Sequence, residues 1–111
     1  MPSPLVTKSK AFALEIIKAC ESIKGHSVLT NQMLRSGTSI GANIREAFYA
    51  HSRPDFISKL QIALKECAET EYWLELLNES GYYKDSVLLS QCEELKRMLI
   101  ASVKTAKENK P

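Results

Sequence analysis

The 111-residue sequence has few of the features that mark secreted or membrane proteins. Cys20, Cys67 and Cys92 are odd in number and far apart, so we expect reduced thiols packed as small apolar side chains. No stretch approaches the roughly 18 apolar residues of a membrane helix. The N-terminus lacks the charged and apolar regions of a signal peptide. We therefore expect a cytoplasmic protein that does not span a membrane.

Residues suited to catalysis or metal binding are also scarce. Ile23 and Phe48 stand three residues before the two histidines, His26 and His51, so neither belongs to the Glu-x-x-His pair of a di-iron bundle. No cysteine–histidine cluster has zinc spacing, and no glycine-rich loop could hold a phosphate. We predict a non-enzymatic protein without catalytic residues, metal, cofactor or small-molecule substrate.

Helical periodicity, in contrast, runs through nearly the whole sequence. Apolar residues recur at intervals of three and four in four segments, 4–24, 28–50, 54–80 and 86–107. No segment alternates as a strand would. The sequence predicts one domain over residues 1–111, an all-α, antiparallel up-down-up-down four-helix bundle.

The ends of these helices carry recognisable signals. Gly25 and Gly81 are placed to end the first and third helices in a left-handed conformation. Ser27 and Ser52 are placed to cap the second and third helices, and Asp85 or Ser86 the fourth.

The second helix carries two parallel stripes. The apolar stripe contains Met33, Gly37, Ile40, Ile44, Ala47 and Phe48, and the polar stripe contains Ser36, Ser39, Asn43 and Glu46. Glycines within a helix cost about 1 kcal/mol each relative to alanine. We therefore expect this helix to be held by its neighbours, whose backbones approach it closely at Gly37 and Gly41.

A second apolar stripe on the third helix suggests self-association. Ile62, Trp73 and Leu76 lie about 100 to 160° around the helix from the core stripe that runs from Phe56 to Leu74. We predict that they point away from the core and form a contact between copies, although a wide monomer core would also explain them. Ser39 and Asn43 need hydrogen-bond partners, either across helices or between subunits.

Charge is distributed unevenly along the chain. Residues 1–65 contain nine basic and four acidic residues, whereas residues 66–111 contain six and nine. The candidate nucleic-acid-binding residues are Arg35, Arg45, Arg53, Lys10 and Lys18. We expect no aromatic side chains among them that could stack bases, so one copy makes only a modest basic patch. An oligomer would repeat this patch and so increase the number of phosphate contacts. A solvated basic surface is the alternative.

The sequence from Gln32 to Glu46, QMLRSGTSIGANIRE, resembles the proteins encoded in intervening sequences of bacterial 23S ribosomal RNA genes. The resemblance continues in the Ser-Arg-Pro-Asp-Phe segment at 52–56 and in Gly81-Tyr82, and it covers about residues 8–105. It implies a homo-oligomeric, pentameric bundle without enzymatic activity. It also implies a relation to the accessory variability proteins of diversity-generating retroelements, which are thought to bind nucleic acid and a reverse transcriptase.

Two functions follow as hypotheses. In the first, an oligomer binds RNA or a nucleic-acid-handling protein through pooled basic residues, chiefly Arg35 and Arg45. In the second, the apolar and acidic faces form a protein-interaction scaffold with no nucleic-acid binding.

Overall fold

Four α-helices account for most of residues 3–108, the part of the chain that this computed structural model describes. They are α1 (Pro4–Ser22), α2 (Ser27–Ala47), α3 (Arg53–Ser80) and α4 (Ser86–Glu108). Each helix packs against two others, in the cyclic order α1, α2, α3, α4. The predicted all-α bundle is therefore confirmed.

The predicted signals at both ends of α3 and at the start of α4 are confirmed. Ser52 Oγ accepts a hydrogen bond from the backbone N–H of Asp55 at 3.2 Å. Gly81 has a φ of 81°, which favours glycine, and it ends α3. Asp85 Oδ1 accepts from the backbone N–H of Leu88 at 2.9 Å, so Asp85 rather than Ser86 caps α4.

The link between α1 and α2 differs from the prediction. α1 ends at Ser22, because Ile23 adopts an extended conformation and packs partly against the core. Gly25 and His26 then both adopt left-handed conformations, with φ of 75° and 55°. Ser27 is consequently already helical, and the prediction that it caps α2 is wrong. α2 also ends earlier than predicted, at Ala47.

The core follows most of the predicted stripes. Helical spacing predicts a core stripe on α3 of Phe56, Leu60, Ala63, Cys67, Thr70, Leu74 and Leu77, and all of these except the half-buried Phe56 are buried. Phe48, predicted in the apolar stripe of α2, is instead 49% exposed, because α2 has already ended. On α4 the same spacing predicts Ser102 on the inward face, but Val103 is buried instead.

The contacts between α2 and α3 run antiparallel. Between α2 and α3, Glu46 pairs with Lys59 and Ser36 contacts Thr70, so residue numbers rise on one helix as they fall on the other.

α1 and α2 approach closely at both glycines. A Cβ added at Gly37 would lie 2.9 Å from Ile16 Cγ2, and one added at Gly41 would lie 3.5 Å from the backbone oxygen of Ser9. The predicted approach of a neighbouring backbone is thus confirmed at Gly41, whereas at Gly37 the close neighbour is a side chain.

Candidate functional site

A shallow groove between α1 and α2 brings two of the predicted basic residues together. Lys10 lies on the α1 side and Arg45 on the α2 side of a cavity of ≈ 260 Å³. The remaining lining residues are uncharged and mostly small: Val6, Ser9, Ala13, Thr38, Gly41 and Ala42. We call this cavity the basic groove. Its lining contains two cations and no carboxylate.

No salt bridge within the described part of the chain neutralises either cation of the basic groove. Within residues 3–108, neither Lys10 nor Arg45 forms an ion pair with a carboxylate. Other cations do form such pairs: Lys8 lies 2.8 Å from Glu94, Lys59 2.9 Å from Glu46, and Lys96 2.7 Å from Glu71. The groove therefore concentrates positive charge that is available to an anionic ligand.

Exposed aromatic rings adjoin the basic groove. Arg45 also lines two further cavities, and Tyr49 lines both of them. Tyr49 is 85% exposed, and Phe48 lines one of these cavities. The prediction that no aromatic residues accompany the basic residues is wrong in three dimensions. The spacing of four residues between Arg45 and Tyr49 could have indicated their proximity, because it corresponds to one helical turn.

Arg35 lies on a different surface and its charge is compensated. Its guanidinium forms ion pairs with Glu66, at 3.1 Å, and with Glu69, both on α3. Glu69 also accepts a hydrogen bond from Trp73 Nε1 at 2.9 Å. The hydrogen bonds from Arg35 and Trp73 hold the pKa of Glu69 below its usual range. Arg35 thus joins α2 to α3 and does not contribute a free cation to the groove.

The other two predicted basic residues lie outside the lining of the basic groove. Arg53 is exposed and begins α3, at the end of the bundle where α2 finishes. Lys18 is exposed and lies 3.8 Å from Glu15. It is about 12 Å along α1 from Lys10, at 1.5 Å per residue.

The five predicted interface residues fall on one surface, formed by α2 and α3. The antiparallel register places Asn43 level with Ile62. Ser39 Oγ donates to the carbonyl of Arg35, and Asn43 Nδ2 donates to the carbonyl of Ser39. Both polar side chains thus bond within α2, so the prediction that their partners lie across helices or between subunits is wrong.

The apolar members of that surface differ in exposure. Ile62 is 40% exposed and Leu76 is half-buried. Trp73 is half-buried and packs partly against the core, so the prediction that it points away from the core is wrong. Its indole Nε1 donates to Glu69, four residues earlier on the same helix. Together with the Arg35 ion pairs, these residues form what we call the α2–α3 face.

The described part of the chain has neither a membrane-spanning helix nor a cluster of metal ligands. No helix in residues 3–108 is both long and apolar enough to cross a membrane. Over the same residues, no three histidine, cysteine, aspartate or glutamate side chains cluster as a metal site would require.

Comparison with known proteins gives one consistent result. The sequence model of the family described as 23S rRNA-intervening sequence protein matches residues 4–101. A similar solved structure is that of a protein of unknown function from the S23 ribosomal protein family of Bacteroides thetaiotaomicron. The two chains are 45% identical, the match covers 90% of this chain and 98% of the other, and the TM-score is 0.86. No curated protein matches the chain.

Proposed function

This chain belongs to the 23S rRNA-intervening sequence protein family, and we propose that it is a non-enzymatic, homo-oligomeric protein that binds RNA through the basic groove. The observation that carries the proposal is the pair of uncompensated cations, Lys10 and Arg45, in a groove without acidic lining. Each phosphate that such cations neutralise releases bound counterions from the nucleic acid, which favours binding.

The shape of the basic groove supports the same conclusion. Gly41, Ala42 and Ala13 have little or no side chain, so a phosphate backbone can approach the seam between α1 and α2. Lys10 and Arg45 come from different helices and therefore flank such a ligand from two sides. Two cations alone bind weakly, and repeating the groove in an oligomer multiplies the number of phosphate contacts.

The α2–α3 face supports self-association. Exposed Ile62 and half-buried Leu76 provide apolar area, which is the main driving force for association. The charges between them are already compensated, because Arg35 pairs with Glu66 and Glu69. A second copy could therefore cover this face without burying an unpaired charge, which would be costly.

RNA binding is tested by fluorescence anisotropy with a labelled single-stranded RNA at low ionic strength. We expect Lys10→Ala and Arg45→Ala each to weaken binding and to reduce the slope of log K against log salt concentration by about 0.7 per lost phosphate contact. Arg97→Ala is the matched control, because Arg97 is an exposed cation on α4, away from the groove. Absence of salt-dependent binding by the wild type would overturn the proposal.

Self-association is tested separately by light scattering. We expect Ile62→Glu to give a folded species of lower mass, because it places a charge in the apolar part of the α2–α3 face. Ile100→Glu is the matched control, since Ile100 is 50% exposed on α4. A wild type that is monomeric at micromolar concentration would refute the oligomer but would leave the groove to be tested by anisotropy.

A further inference from the structure

Tyr49, which lines two cavities next to the basic groove, indicates which kind of RNA this surface fits. We infer that the site takes single-stranded RNA, with a phosphate between Lys10 and Arg45 and an unpaired base stacked on Tyr49. This inference rests on the proposed function and adds to it a preference for unpaired over duplex RNA.

Tyr49 has the properties of a stacking platform. The residue is 85% exposed, so its ring is accessible to a ligand. Its backbone is nevertheless ordered, because its N–H donates to the carbonyl of Glu46 at 3.0 Å and the next N–H, of Ala50, donates to Ala47. Only the side-chain torsions of Tyr49 therefore lose freedom when a base stacks on its ring. Stacking on an aromatic side chain is the usual way in which proteins hold unpaired bases.

The neighbouring aromatic residue is less available. Phe48 packs edge-on against Phe56 with ring centroids 5.7 Å apart, and it is 49% exposed. Phe48 thus belongs partly to the packing between α2 and α3. This leaves Tyr49 as the ring next to Arg45 that is free to receive a base.

The position of Arg45 connects the phosphate site to the base site. Arg45 lines the basic groove on one side and both cavities beside Tyr49 on the other. A guanidinium in this position can bind a phosphate while the attached nucleoside reaches the tyrosine ring.

The charges of the lining residues favour one orientation of the ligand. The larger of the two cavities beside Tyr49, of ≈ 530 Å³, is lined by Glu46 and Asp55 as well as by Arg45 and Lys59, and Lys59 pairs with Glu46, whereas the basic groove has two cations and no acidic lining. Carboxylates repel phosphates but accept hydrogen bonds from base N–H groups. The sugar-phosphate backbone is therefore favoured in the basic groove, and a base is favoured beside Tyr49.

A duplex does not fit this division. Its bases are stacked and paired inside the helix, so none is free to stack on Tyr49. Duplex RNA keeps the phosphate contacts with Lys10 and Arg45 but loses the stacking contribution, which predicts weaker binding than that of a single strand.

The experiment compares a labelled single-stranded RNA with a duplex of the same length by anisotropy, using the full chain. We expect the wild type to prefer the single strand. We expect Tyr49→Ala to weaken single-strand binding by about tenfold while leaving duplex binding unchanged, and Tyr49→Phe to retain the wild-type preference. Tyr72→Ala is the matched control, because Tyr72 is 53% exposed on α3.

The outcomes separate the two proposals. Equal affinity for both RNAs, with no effect of Tyr49→Ala but a loss of binding in Arg45→Ala, would overturn the stacking inference and leave the proposed function standing. Absence of binding to either RNA would overturn both. Circular dichroism checks that each variant folds. We expect the Tyr49 variants to fold, because Tyr49 lies outside the helices and its replacement leaves the core intact.

Discussion

The hydroxyl of Thr70 donates a hydrogen bond to Ser36 Oγ at 2.9 Å, and neither residue is exposed to solvent. Thr70 Oγ1 also lies 2.8 Å from the carbonyl oxygen of Glu66. The pair joins α2 to α3 inside an otherwise apolar core, where an unsatisfied polar atom would be costly.

A double-mutant cycle measures this contact. We expect Ser36→Ala to lower the free energy of unfolding by about 1 kcal/mol, with a coupling to Thr70→Val of about 0.5–1.5 kcal/mol. Chemical denaturation of the four proteins supplies the values. Strictly additive effects would show that the two hydroxyls do not stabilise each other.

Gly37 is needed for the close packing of α1 on α2. Gly37→Ala places a Cβ 2.9 Å from Ile16 Cγ2, and overpacking of this kind costs about 1–3 kcal/mol. The gain in helix propensity of about 1 kcal/mol offsets part of that cost. We therefore expect a net loss of about 1 kcal/mol in thermal or chemical denaturation.

Gly41→Ala is the control for that substitution. Its Cβ would lie 3.3 Å from Ser9 Oγ, a small side chain that can adjust. We expect Gly41→Ala to be neutral or stabilising. Equal stabilities of the two variants would contradict the assignment of Gly37 to close packing.

The Arg35–Glu69 contact makes stability depend on pH. Because the pKa of Glu69 is lower in the folded protein, its ionised form favours folding above the pKa of the unfolded chain, and this contribution disappears as the pH falls through the folded pKa. We expect Arg35→Met to be less stable than the wild type at neutral pH and to approach it in acid. Denaturation curves between pH 7 and about pH 3 test this.

Lys18→Met is the control for the pH series. Lys18 lies 3.8 Å from Glu15 on the same helix, and both side chains are well exposed, so this pair contributes little to stability. The free energy of unfolding of Lys18→Met should therefore follow that of the wild type at every pH. A stability difference between Arg35→Met and the wild type that stays constant into acid would argue against the linkage.

The three thiols should differ in reactivity. Cys67 and Cys92 are fully buried with their sulfur atoms 3.9 Å apart, and the contact with Cys67 together with burial raises the pKa of Cys92. Cys20 is only partly buried, although burial raises its pKa as well. We expect an aromatic disulfide reagent to modify one thiol in the native protein and three after unfolding. In the native variant Cys20→Ala we expect the reagent to modify no thiol. Fast labelling of this native variant would contradict the prediction.

Local patterns in the sequence predicted those parts of the fold that depend on neighbouring residues. Ser52, Gly81 and Asp85 mark helix ends through contacts within three residues, and the buried stripe of α3 follows from helical spacing. The stop at Ile23 was missed because it depends on a core contact of one side chain, which overrides the glycine signal two residues later.

The candidate site was predictable in its components but not in their pairing. Lys10 and Arg45 were recognised as basic residues, yet their shared groove depends on the register of α1 against α2. Arg35 was assigned to the same surface because the sequence does not show that Glu66 and Glu69, 31 and 34 positions away, lie within reach of its guanidinium. Separations of this size carry no local signal.

The basic groove is shared by two helices, and this couples occupancy to folding. Lys10 belongs to α1 and Arg45 to α2, so the site exists only while these helices are docked. Any ligand that binds both residues stabilises the contact between α1 and α2. By mass action it raises the melting temperature in proportion to the logarithm of its concentration, so a thermal shift reports occupancy without a label.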